Sequence, residues 1–182
     1  CTDNELYLNA VNTMYTLEPS ANSAYYLYVL YSGRNEYDKA VKYLEEAIAS
    51  EETDALTDAD YYYRLARYCV NADKTKAYSA AQKAMELDPS LSGKSYMIMG
   101  TIWGSTVCSG NEIERRAPYW VAVDFLVKAR NADPELAEEA NNFIRQYSSY
   151  FPKTADAFMY DIIDGQSYTV SCGGMRATTT VR

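Results

Sequence analysis

Ala40 and Ala47, Ala77 and Ala84, and Ala122 and Ala129 form three alanine pairs, each pair seven residues apart in a stretch whose apolar positions recur at helical intervals. Seven residues is close to two helical turns, so both alanines of a pair lie on one face. A small residue there lets a second helix approach toward the short end of the ~8–10 Å interaxial range. The second and third stretches also end alike, in Asp88-Pro89 and Asp133-Pro134. An internal repeat of this kind predicts helical hairpins stacked in chain order.

The rest of the pattern divides the chain. Residues 1–19 read as the trailing helix of an earlier repeat, with Leu6, Ala10, Met14 and Leu17 at helical spacing before Pro19. A first repeat spans residues 21–54, with Leu27 and Tyr31 on one helix, a turn at Ser32-Gly33-Arg34-Asn35, and Ala40, Leu44 and Ala47 on the next. A second spans 57–90, opening at Thr57-Asp58-Ala59-Asp60, where Thr and Asp can cap a helix. A third spans 92–134 and carries a long inter-helix insertion at 104–117. Residues 135–151 keep helical period through Leu136, Ala140, Phe143 and Tyr147, and are expected to cap the exposed apolar face of the last repeat. In residues 152–182 the period changes to two on either side of Gly173-Gly174, which predicts a β-hairpin.

Two of the repeats carry Tyr62-x-x-Leu65-Ala66-x-x-Cys69 and Tyr96-x-x-Met99-Gly100-x-x-Trp103, each followed by the alanine ladder and then proline. Over residues 21–134 this resembles the tetratricopeptide repeat (TPR) family. The resemblance implies an all-α fold, a right-handed superhelix of antiparallel helix pairs, closed here by a capping helix and a small β-hairpin. Departures are Ala24 where an aromatic is usual, Glu52 where proline is usual, and the insertion. The tail, including Tyr119-Trp120-x-Ala122-x-Asp124, Tyr150-Phe151-Pro152 and Thr178-Thr179-Thr180-Val181-Arg182, is similar to the C-terminal part of exported TPR proteins of Bacteroidota. That similarity implies a periplasmic or cell-envelope location and a membrane-associated complex as the setting.

Composition narrows the function classes. A formal charge of −8 with no basic cluster argues against nucleic acid as a partner. The longest apolar runs, residues 25–31 and 96–103, fall far short of the roughly 20 residues a transmembrane helix needs. With no histidine, the commonest general base and metal ligand is absent, which points away from an enzyme and from a metal or other cofactor. Ser92-Gly93-Lys94-Ser95 copies the end of a phosphate loop, but Asp88 stands where the first glycine belongs, and a helix start is the expectation there. The acidic pairs Glu45-Glu46, Glu51-Glu52 and Glu138-Glu139 read as solvated faces. Cys1 is read either as a fragment edge or as a lipidated residue.

The 19 tyrosines against 4 phenylalanines are the strongest pointer to binding, since Tyr brings contact area with little rotamer entropy and a hydroxyl that tolerates water. In TPR proteins the first helix of each repeat lines a concave groove. By that resemblance, the groove residues are Tyr25, Val29, Asp60, Tyr63, Arg67, Asn71, Lys94, Met97 and Thr101. Tyr25 and Val29 stand where the family's carboxylate clamp has Lys and Asn, so that clamp is missing. The expected function is a non-catalytic scaffold binding a peptide or protein segment in the groove. Two alternatives stand beside it: docking of a partner through the hairpin and insertion, and a glycan-directed activity built on two carboxyl groups ~5–9.5 Å apart. Cys108 and Cys172 both adjoin glycine in segments expected at one end of the array, and either a disulfide worth ~3–4 kcal/mol or two free thiols fits them. Cys69 is expected to be buried as a small hydrophobe.

Overall fold

A computed structural model describes residues 5–182; Cys1 lies outside them. The helices, in chain order, are Glu5–Leu17 (α1), Ala21–Gly33 (α2), Tyr37–Ala49 (α3), Ala55–Cys69 (α4), Lys74–Leu87 (α5), Ser92–Gly104 (α6), Glu112–Arg116 (α7), Pro118–Ala132 (α8), Ala137–Ser148 (α9) and Thr154–Phe158 (α10). Strands Ser167–Cys172 (β1) and Met175–Thr180 (β2) complete a mostly helical chain with a two-stranded antiparallel sheet.

The helices are tied together in chain order. The closest pairings are α2 with α3, α4 with α5 and α6 with α8; α3 also meets α4, and α5 meets α6. Within the α6–α8 pair, Gly93 lies against Ala129 and Asp133, whereas Gly100 lies against Ala122 and Leu126, so the two helices run antiparallel. All six alanines of the ladder are fully buried. A Cβ on Gly100 would come within 2.8 Å of Leu126 Cγ and 3.2 Å of the Ala122 carbonyl, so the missing side chain sets how closely α6 approaches α8.

Polar contacts repeat with the same step. The Tyr15 hydroxyl donates to Glu46, the Ala21 N–H to Glu52, the Lys74 ammonium to the Ser105 carbonyl and the Lys76 ammonium to Glu45, each across a separation of 31 residues. Glu45, Glu51 and Glu52 are exposed, as expected of solvated faces, and Glu45, Glu46 and Glu52 also make specific contacts. Glu45 and Glu46 join one helix pair to the next, and Glu52 accepts from the Ala21 N–H at the start of α2, beside the Ser20 cap.

Other departures are local. The second repeat starts earlier than residue 57, at Ala55, because Asp54 caps α4 by accepting from the Thr57 N–H. The 104–117 insertion is not all loop. It contains α7, opened by an Asn111–Glu114 capping box and anchored by the fully buried Ile113. The segment 152–182 holds α10 as well as the hairpin. Ser92-Gly93-Lys94-Ser95 is the first turn of α6, and Gly93 there abuts the Asp133 Cβ position.

The hairpin's register follows from glycines. Gly173 and Gly174 both have positive φ, 59° and 76°, the pattern of a type I′ turn that matches strand twist. At the other end Gly165, φ 83°, forms a bulge with Gln166 opposite Val181: the Gly165 N–H donates to the Val181 carbonyl, and the Val181 N–H to the Gln166 carbonyl. Between these fixed ends, Val170, Met175, Thr179 and Val181 turn inward. The sheet lies on α8, where the Trp120 indole donates to the Arg182 carbonyl at 3.0 Å. The other end is covalent: Cys108 in the insertion is bonded to Cys172. Cys69 is fully buried with a free thiol, and burial pushes that thiol up.

Candidate functional site

Helical spacing builds one hollow from three helices. Tyr63 and Arg67 come from one face of α4, Lys94, Met97, Ile98 and Thr101 from one face of α6, and Leu136, Glu139 and Phe143 from the start and first turns of α9. The offsets of three, four and seven residues are those of a single helix face. The hollow measures about 460 Å³ and is open on one side. Lys94 and Thr101, seven residues apart on α6, set a length of ~10 Å, enough for about three residues of extended chain.

Its chemistry is divided between an apolar floor and a cationic rim. Met97 is buried, and Ile98, Leu136 and Phe143 are partly buried against the core. Arg67 and Lys94 are exposed and make no ion pair among the described residues. The Arg67 guanidinium stands 5.8 Å from the Tyr63 ring centroid, within cation–π reach, which holds the charge at the rim. Glu139 is the carboxylate in the lining, so two cations face one anion in a chain whose overall charge is −8.

Arg67 also borders a second hollow of about 240 Å³ with Tyr28, Arg64 and Tyr68. There Arg64 donates to Asp60 at 2.6 Å and lies 5.5 Å from the Tyr25 ring centroid. Burial pushes the Tyr28 phenol above its ordinary value, against the opposing effect of Arg64, so it stays a neutral hydrogen-bonding group.

Of the residues expected in a groove, Tyr63, Arg67, Lys94, Met97 and Thr101 come together. The other four do not join them. Tyr25 is stacked on Tyr61 at 4.9 Å, with the rings 17° from parallel, and serves the α2–α4 contact. Val29 is exposed on α2, Asp60 is engaged with Arg64, and Asn71 falls in the turn beyond the last residue of α4. Sequence reasoning missed Ile98, Leu136, Glu139 and Phe143. The helix read only as a cap packs on α8 and also forms a wall of the hollow. The legible signal was the 136, 139, 143 spacing, the same as on α6.

Among the described residues, no group of three or more His, Cys, Asp or Glu side chains is placed to hold a metal ion, and no helix is long and apolar enough to cross a membrane. No protein-family model matches the chain, and comparison with curated proteins gives no match.

Proposed function

We propose that this chain is a tetratricopeptide-type interaction scaffold, its helix pairs forming a right-handed superhelix, and that it holds a peptide or protein segment in the hollow between α4, α6 and α9. The observation that carries the reading is the exposed pair Arg67 and Lys94, without carboxylate partners, above an apolar floor of Met97, Ile98, Leu136 and Phe143. A rim of this kind favours a segment that sets an acidic group on the cations and an apolar side chain on the floor. The antiparallel α6–α8 pair, the chain-order packing and the 31-residue polar step support the family assignment. The Cys108–Cys172 disulfide supports an oxidising compartment, with a periplasmic or envelope assembly as the proposed setting.

The test is capture from a displayed random-peptide library by the immobilised chain. Tyr63→Ala and Arg67→Ala are each expected to weaken the selected peptides about tenfold, or ~1.4 kcal/mol, without lowering the unfolding midpoint. A matching loss of stability would make these residues part of the core instead.

A further inference from the structure

The outer edge of β1 leaves its backbone groups unpaired. The Gln166–Val181 pair carries a ladder hydrogen bond, and bonded and non-bonded pairs alternate along an antiparallel ladder. The bonded pairs are therefore Tyr168–Thr179, Val170–Ala177 and Cys172–Met175, and the backbone groups of Ser167, Thr169 and Ser171 point away from β2. Those groups find no hydrogen-bond partner among the described residues, and all three residues are exposed. Proteins ordinarily blunt such an edge with lysine, proline or an inward charge. The β1 sequence, Ser-Tyr-Thr-Val-Ser-Cys, has none of these.

A slot runs beside this edge. It measures about 180 Å³ and is lined by four consecutive β1 residues, Tyr168 through Ser171, and across from them by Cys108, Ser109 and Glu114 of the insertion. Both walls are fixed: the Cys108–Cys172 bond joins them at one end, and the capping box and buried Ile113 hold α7 in place. The charge in the lining is the Glu114 carboxylate, which is exposed; one of its oxygens accepts from the Asn111 N–H in the capping box, and the other makes no hydrogen bond among the described residues.

We propose that β1 accepts an added strand: an extended segment of a partner protein enters the slot, pairs its backbone with Ser167, Thr169 and Ser171, and sets a basic side chain against Glu114. Main-chain pairing supplies affinity, and the Glu114 contact supplies selectivity for a basic segment. The site is separate from the hollow on α4, α6 and α9, and its chemistry has the opposite sign.

The experiment uses the full oxidised chain and ten-residue peptides selected on it from a displayed random library, read by amide hydrogen exchange. Supporting results are peptides rich in β-branched residues with a Lys or Arg, at least tenfold slower exchange at Thr169 and Ser171, and about tenfold weaker binding by Glu114→Gln, which removes the charge and keeps an acceptor for the Asn111 N–H. Thr169→Pro, which removes one outward N–H, should abolish that binding. Retained protection at Tyr168 and Val170 would show that the hairpin of this variant is intact. Arg67→Ala should leave these peptides bound. The proposal is overturned if the selected peptides slow exchange only in α4, α6 and α9, if none is selected, or if Glu114→Gln leaves affinity and selectivity unchanged.

Discussion

The Asp124 carboxylate on α8 accepts a hydrogen bond from the Thr179 hydroxyl on β2 at 2.5 Å, and Thr179 is buried. The same carboxylate pairs with the Arg182 guanidinium, so one side chain holds both the second strand and the arginine two residues beyond it. Asp124→Ala would leave a buried hydroxyl without its acceptor. We expect a loss of ~1–3 kcal/mol, seen as faster amide exchange across residues 167–180 with little change in α2 to α5. Uniformly faster exchange over the whole chain would show that the hairpin and the helices unfold as one unit.

The Cys108–Cys172 bond closes a separation of 64 residues. On loop-closure grounds, replacing both cysteines by alanine should lower stability by about 4 kcal/mol. Denaturant unfolding of the double variant against the oxidised chain measures this. A loss below ~1 kcal/mol would mean that the unfolded chain already holds residues 108 and 172 near one another without the bond.

Gly100→Ala sets two effects against each other. Alanine should gain about 1 kcal/mol of helix propensity. The added Cβ, 2.8 Å from Leu126 Cγ and 3.2 Å from a backbone oxygen, forces α6 away from α8, which typically costs 1–3 kcal/mol. Crowding against the backbone should win, with a net loss of ~1–2 kcal/mol in thermal or denaturant unfolding. A stabilised variant would show that the α6–α8 spacing is slack.

The pH profile should be flat near neutrality and fall in alkali. Without histidine, no side chain of ordinary pKa titrates between about pH 6 and 8. Hydrogen bonding to Glu46, with burial, pushes the Tyr15 phenol up to about 12, and burial raises Tyr28, Tyr61, Tyr68, Tyr78 and Tyr147. A raised folded-state value means that the unfolded chain loses its proton first. Stability is therefore complete below about pH 10 and declines as pH climbs through the raised values. Tyrosinate absorbance and circular dichroism followed together should change in one transition. Full ionisation with helicity retained would contradict the burial of these rings.

The alanine ladder made the helix pairs legible because a small residue every two turns has one main physical use, close helix approach. Gly173-Gly174 was equally direct, since two positive φ values in succession favour glycine. Helix starts were less so: Asp54 and Thr57 are both capping residue types, and only the structure shows which side chain accepts from a backbone N–H. At five residues, α7 is too short to show a period, although the Asn111–Glu114 capping box was readable. The wall from α9 was hidden because Leu136 and Phe143 have the spacing of core residues, and sequence spacing does not separate a face against a helix from a face against an open hollow. Asn71 and Tyr25 lie away from this hollow for the converse reason: position in a repeat fixes a place along a helix, whereas the end of α4 puts Asn71 in a turn and the Tyr61 ring takes up Tyr25.

Binding in the hollow bounded by Tyr63, Lys94 and Phe143 is tested most directly by the amide-exchange footprint of an acidic, apolar peptide selected on the intact chain. Protection concentrated in α4, α6 and α9, and lost together with binding in Arg67→Ala, is the predicted result. Protection elsewhere with these three helices unchanged, or undiminished binding by that variant, would contradict it.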